Sequence, residues 1–214
     1  MPLLTENLVD VPRCPHCGVA YPQLVRLWHS NDPLPRSTPG PRSRWAIYRC
    51  TSCGDIVSAK GIPNGPRFED LVIEIFPAPK QAHEDIPQIP RHFLQQAYQT
   101  LHAPDAAAVM AGSAVDTMLK QLGYSEGTLY SRIDKAVQDH LLTQDMGDWA
   151  HEVRLGSNRP RHADKENPHV LPDEAKQSVE FAEALANFLF VLKAKVSKGI
   201  EQAKKTSSES TALK

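Results

Sequence analysis

No stretch of this chain is long and apolar enough to cross a bilayer. The longest strongly apolar run, Phe188–Leu192, falls far short of the roughly 20 residues a spanning helix needs. The N-terminus, Met1-Pro-Leu-Leu-Thr-Glu-Asn, lacks the basic region and apolar stretch of a secretory signal. A Walker-type phosphate loop, a dinucleotide-binding glycine fingerprint, a G-x-S-x-G elbow and internal repeats are all missing. Those absences remove the P-loop nucleotidases, the Rossmann enzymes, the α/β-hydrolases and the solenoids, and they point to a cytoplasmic protein without membrane partners. Net charge is also nearly absent, at −1. The balance is uneven along the chain, with residues 81–192 carrying nine Lys/Arg against 16 Asp/Glu. An acidic middle of this kind argues against coating by nucleic acid through bulk charge, so any RNA contact there has to be local.

Cysteine is scarce, and its placement is informative. The four in the chain form two knuckles, Cys14-Pro-His-Cys17-Gly and Cys50-Thr-Ser-Cys53-Gly, separated by 32 residues. Each C-x-x-C turn presents two thiols on one side of a tight loop, and the following glycine permits the turn. Two facing turns make a closed four-sulfur cage, the preferred structural site for Zn2+. A redox motif would need one such turn only, and disulfides an oxidising compartment. We therefore expect a structural zinc on Cys14, Cys17, Cys50 and Cys53.

Proline is scarce after residue 90. Fourteen of the 18 prolines come earlier, and a proline costs a helix interior about 3 kcal/mol. The first part of the chain is thus expected to be β-rich, with strands at Leu24–Trp28, Trp45–Arg49, Asp55–Ser58 and Leu71–Phe76. A proline-rich loop, Asn31–Arg42, carries Arg36 and Arg42, with Arg44 just beyond it. After Pro90 the apolar period becomes helical. Five helices are expected: one around Phe93–Leu101, one over Ala107–Leu122, one from Leu129 to Leu142, one through Met146–Val153 ending near Gly156–Asn158, and one from Pro172 to Val196. The fold class is α+β, a zinc ribbon over 1–80, a linker at 81–90 and a helical bundle over 91–198. Residues 199–214, rich in Ser, Thr, Lys and Glu, read as a disordered tail.

A second constellation lies in Glu152-Val-Arg154-Leu-Gly-Ser-Asn158-Arg-Pro-Arg-His162-Ala-Asp164. It concentrates Arg154, Arg159, Arg161 and His162 in an acidic region. Arginine grips phosphate through paired hydrogen bonds, and histidine moves protons near neutral pH. Plain structural readings stand beside this one: Asn158 as a left-handed helix cap, Arg154 bonded to the last helix carbonyls or paired with an acid, His162 as a satisfied structural side chain, Asp164 as a turn residue.

With its two knuckles, the strand and prolines at Ile73–Pro77 and Ile86–Pro90, the helix Phe93–Tyr98 and the Arg154, Asn158, His162 series, the chain resembles the domain-of-unknown-function 4145 family. That family is a branch of the HEPN superfamily of helical domains. The resemblance implies an HEPN-like bundle, a homodimer whose motifs face one another, and a role in bacterial defence or restriction with RNA or a protein of the defence system as partner. It implies one of two activities: a noncatalytic binding module, or a metal-independent endoribonuclease using Arg154, Asn158 and His162 as catalytic residues. Arg159, Arg161, Arg36, Arg42 and Arg44 would then bind nucleic acid. Two departures stand out. Ser157 separates Gly156 from Asn158, and seven residues lie between Arg154 and His162 where the superfamily's ribonuclease motif has four to six.

Overall fold

The computed structural model describes residues 2–65, 69–162 and 165–212, with the side chains of 205–212 left aside. The protein is α+β and divides into two compact units, Met1–Lys80 with Tyr98–His102, and Gln81–Ala97 with Ala103–Lys214.

The first unit is an antiparallel meander of five strands in sequence order: β1 (Asn7–Leu8), β2 (Leu24–His29), β3 (Arg44–Cys50), β4 (Ile56–Ile62) and β5 (Leu71–Phe76). The start of the chain pairs at both edges. Asn7 and Leu8 lie beside Val25 and Leu24, while Leu3 bridges to Leu71 and Leu4 N–H donates to Asp70 C=O at 2.9 Å. The sheet therefore curls on itself and covers its own edges, which removes the unpaired ladder groups of an open sheet. Alternating residues of β3 and β4 point inward, so Ala46, Tyr48, Val57 and Ala59 meet Leu4, Leu8 and Leu24 in one core. Tyr48, fully buried, donates its hydroxyl to Thr5 C=O at 2.9 Å. β4 extends four residues beyond the expected Asp55–Ser58 strand because β3 and β5 supply ladder partners on both sides.

The second unit is helical: α1 (Gln88–Gln99), α2 (Pro104–Gln121), α3 (Leu129–Gln138), α4 (Gln144–His162), α5 (Pro172–Ala186), a π-helical turn at Asn187–Val191, and α6 (Leu192–Ala212). α2 is the central helix and packs against α3, α4 and α5. Its small residues Ala107, Ala108, Ala111 and Ala114 are fully buried, as close helix approach requires. The starts follow ordinary capping rules. Pro104 and Pro172 open α2 and α5, and Thr128 and Ser131 exchange backbone bonds at the start of α3.

Several boundaries differ from the sequence reading. α1 starts at Gln88, inside the expected linker, since Pro90 sits in its first turn where the missing N–H costs nothing. α3 stops at Gln138 instead of Leu142, and His140 adopts φ 58° in the turn that follows. The segment after residue 198, expected as disordered, is helical to Ala212. The largest difference is α4, which does not end near Gly156–Asn158 but continues through Pro160 to His162. Pro160 forfeits a bond to the Gly156 carbonyl. Contacts on either side hold the turn: Arg159 Nη2 reaches Glu174 Oε2 at 2.9 Å, and Ser157 is fully buried against α2.

That burial depends on Gly112. A Cβ there would lie 2.5 Å from Ser157 Oγ and 2.7 Å from Ser157 Cβ. Gly112→Ala forces α2 and α4 apart and is expected to destabilise the helical unit by about 1–3 kcal/mol, the usual cost of overpacking. Urea unfolding monitored by circular dichroism measures this, and an unchanged midpoint would show that the crossing is not tight.

Candidate functional site

The first candidate site is the cysteine cluster. One ligand atom from each of Cys14, Cys17, Cys50 and Cys53 lies within 4.8 Å of all the others, and no disulfide joins them. The two knuckles are built alike. Cys14 N–H donates to Val19 C=O at 3.0 Å and Gly18 N–H to Cys14 C=O at 3.0 Å; Cys50 N–H donates to Asp55 C=O and Gly54 N–H to Cys50 C=O, both at 2.9 Å. Gly18 and Gly54 close these turns at φ 72° and 81°, a region that disfavours side chains.

The repetition extends to the sulfurs. Cys14 receives the N–H groups of Cys17 and His16, and Cys50 those of Cys53 and Ser52; Cys17 and Cys53 receive those of Val19 and Asp55. Without a cation, burial dominates and pushes Cys14 and Cys53 up to about 11, with Cys17 also raised. At Cys50 burial likewise opposes ionisation, but the two N–H groups and the neighbouring thiols outweigh it and the pKa is lowered. Four thiolates at bond lengths of about 2.3 Å from one ion would stand roughly 3.8 Å apart, and Cys14 and Cys53 are 3.9 Å apart already. The donor set fits a metal ion that prefers sulfur. Cys50→Ser is expected to abolish metal retention, read by elemental analysis of purified protein; full metal content in that variant would place the ion elsewhere.

The second candidate site is a cavity of about 790 Å³ in the helical unit. Because α4 stays helical, Arg154, Asn158 and His162 fall at i, i+4 and i+8, with Arg161 at i+7, and all four line this cavity. Arg154 and His162 thus stand a little over two helical turns apart on α4, and both line the one cavity. Ser157, the residue that interrupts Gly-Asn, is fully buried and packs on Gly112. His162 is exposed, and Asn158 sits inside the helix instead of capping it. Asp164 lies outside the described residues.

Further wall residues come from α2 and α3, among them Asp116, Thr117, Lys120, Tyr130 and Arg132, none of which the sequence had marked. Arg132, only 8% exposed, joins Asp116 at 2.7 Å and donates to the carbonyls of Ser125, Glu126 and Gly127, so it fixes the loop ahead of α3. Asp116 also holds Lys120 at 2.6 Å. Among the described residues the lining thus carries Lys120, Arg132, Arg154 and Arg161 against the one carboxylate of Asp116, a local positive excess in an acidic unit. Arg154 packs over the Tyr130 ring at 5.3 Å, and its buried Nε has no acceptor among the described residues.

The other expected nucleic-acid residues are placed differently. Arg159 does not line this cavity; it is engaged with Glu174. Arg44 is locked to Asp70 at 2.8 and 3.0 Å, and Arg36 folds back on its own loop, reaching Thr38 at 3.3 Å. Arg42 is exposed. These three belong to the first unit.

Glu174 accepts the Leu171 N–H at 2.8 Å. That bond, followed by the Arg159 guanidinium, holds its carboxyl below the ordinary range against opposing desolvation. The stabilisation is therefore present above the unfolded carboxylate pKa of about 4.3 and is lost as pH falls through the lower folded value. Glu174→Gln is expected to lower melting temperature at pH 7 and to narrow that difference at acid pH. A difference independent of pH would remove the charge from the explanation.

No curated protein and no solved structure matches the chain significantly. A family model does match residues 95–204, which covers α2 to α5 and every residue of the α4 face. The chain belongs to the family described as Domain of unknown function (DUF4145).

Proposed function

We propose that this protein is an RNA-binding module with an HEPN-like helical bundle, in which the cavity face of α4 grips phosphates and the four cysteines hold a structural Zn2+. The observation that carries this reading is the stripe Arg154, Asn158, Arg161 and His162 along one helix face, opening on a cavity with a cationic excess. Phosphate is the chemistry that suits paired guanidinium groups surrounded by hydroxyl and amide donors. Zinc is the ion of choice for a closed four-thiolate set, where it contributes folding energy and has no open position for chemistry. The reading includes a homodimer and a place in a bacterial defence or restriction-type system, both of which rest on the HEPN resemblance.

A second reading is favoured by the exposure of His162 on the same face as Arg154. In it the protein is an endoribonuclease. His162 takes the ribose 2′-hydroxyl proton, the 2′-oxygen attacks phosphorus, and the bond to the 5′-oxygen breaks as that oxygen takes up a proton from water. Arg154 stabilises the charge on the phosphate, and Asn158 orients His162 or the substrate. The products are a 2′,3′-cyclic phosphate and a 5′-hydroxyl.

Fluorescence anisotropy with a labelled single-stranded RNA tests the first reading. Arg154→Ala and Arg161→Ala are each expected to weaken binding and to reduce the salt slope by about 0.7 for every phosphate no longer neutralised. Absence of salt-dependent binding by wild type would refute it. Incubation of the same RNA in EDTA, resolved on a denaturing gel, tests the second. Cleavage that His162→Ala lowers by about 10²–10⁴ supports it, whereas undiminished cleavage by that variant excludes His162 as the acid–base group.

A further inference from the structure

The neighbours of Arg154 form a support with its own logic. α3 presents Tyr130 and Asp134 one helical turn apart, and α4 presents His151 and Arg154 at the same pitch. The two pairs interlock. His151 Nε2 lies 3.0 Å from Asp134 Oδ1, and the His151 ring packs on Tyr130 with centroids 4.6 Å apart and planes at 35°. Arg154 Cζ then sits 5.3 Å from the Tyr130 centroid. The chain of contacts is carboxylate, imidazole, phenol ring, guanidinium, and it ends at the cavity that Arg154 lines.

Two atoms in this support are conspicuous. Among the described residues, Arg154 Nε and His151 Nδ1 are the buried side-chain nitrogens that lack a hydrogen-bond partner. A guanidinium can meet a phosphate side-on, through Nε and one Nη, or end-on through both Nη atoms. With Nε sealed from solvent the side-on approach is closed, and the end-on fork remains. The aromatic ring supplies a face that favours a cation without consuming any of its N–H donors, so both Nη groups stay available.

We infer that Tyr130 is a positioning residue: braced by the Asp134–His151 pair, it holds Arg154 in one orientation and commits it to end-on capture of a phosphate oxygen pair. This rests on the reading of the α4 face as a phosphate site. Tyr130 itself is 52% exposed, so its ring can be replaced with little effect on the core. A long, flexible arginine would otherwise have to lose rotamer freedom when it binds. The support removes that cost in advance.

The full-length protein labelled with 15N tests the support directly, without RNA. The Arg154 Nε–H resonance, assigned by its loss in Arg154→Lys, is expected to be shifted upfield by the Tyr130 ring and protected from solvent exchange. Tyr130→Leu should abolish both effects and Tyr130→Phe should retain them. An Arg154 signal unchanged in Tyr130→Leu overturns the inference. In RNA anisotropy, Tyr130→Leu is expected to weaken binding about fivefold, the size of one cation–π contact, with Tyr130→Phe equal to wild type. The loss should vanish in an Arg154→Ala background; a loss that persists there assigns Tyr130 a different role and overturns the inference as well. A normal Arg154 signal with no RNA binding by wild type would instead refute the phosphate reading and leave the support standing.

Discussion

The close crossing of α4 over α2, where Ser157 meets Gly112, governs the geometry of the helical unit's candidate site. Only a residue without a side chain lets the two backbones approach this far, and the buried hydroxyl of Ser157 still finds the Arg154 carbonyl at 2.9 Å. The residues of α4 flanking this crossing line a cavity with α2 and α3. Arg154, Asn158, Arg161 and His162 then share one wall with Asp116, Lys120 and Arg132. The π-helical turn at Asn187–Val191 and the long α6 leave this arrangement untouched, since α2, α3, α4 and α5 provide the packing around it.

Charge is arranged so that the cavity is positive while the unit as a whole is acidic. Arg132 is buried, but Asp116 and three backbone carbonyls satisfy it, and a buried cation is tolerable only with partners of this quality. Arg154 is treated differently: an aromatic ring carries it, and its buried nitrogen has no acceptor among the described residues. One arginine is thus held by several acceptors, while the other rests on an aromatic face. Arg159, next to the stripe in sequence, is turned by the helical repeat toward Glu174 and fastens α4 to the start of α5.

In the first unit the corresponding constraint is the pairing of two knuckles. Each offers backbone N–H groups to its own sulfurs, which partly offsets the burial that opposes ionisation. The curled sheet supplies the rest, bringing Cys50 at the end of β3 to the loop that holds Cys14 and Cys17.

Much of this was legible in the sequence. The C-x-x-C-G repeats located the cysteine cluster, because short-range turn geometry and sulfur chemistry need no tertiary information. The proline distribution separated the β-rich part from the helices, and the Pro172-Asp-Glu start of α5 followed from capping rules alone. The family, too, was visible in the Arg154, Asn158 and His162 series. Local reasoning failed at Pro160. The intrinsic cost of proline argued for a helix end at Gly156–Asn158, whereas Arg159–Glu174 pairing and Ser157 burial carry the helix to His162. Tyr130, Lys120 and Arg132 were invisible for a related reason: each is an ordinary helix residue until α2 and α3 fold beside α4. The amino-acid order by itself determined the helix and strand propensities, the metal-ligand chemistry and the identity of the reactive side chains. Tertiary packing alone decided which of those side chains share a cavity, because a contact between residues far apart in the chain exists only once the helices between them have closed.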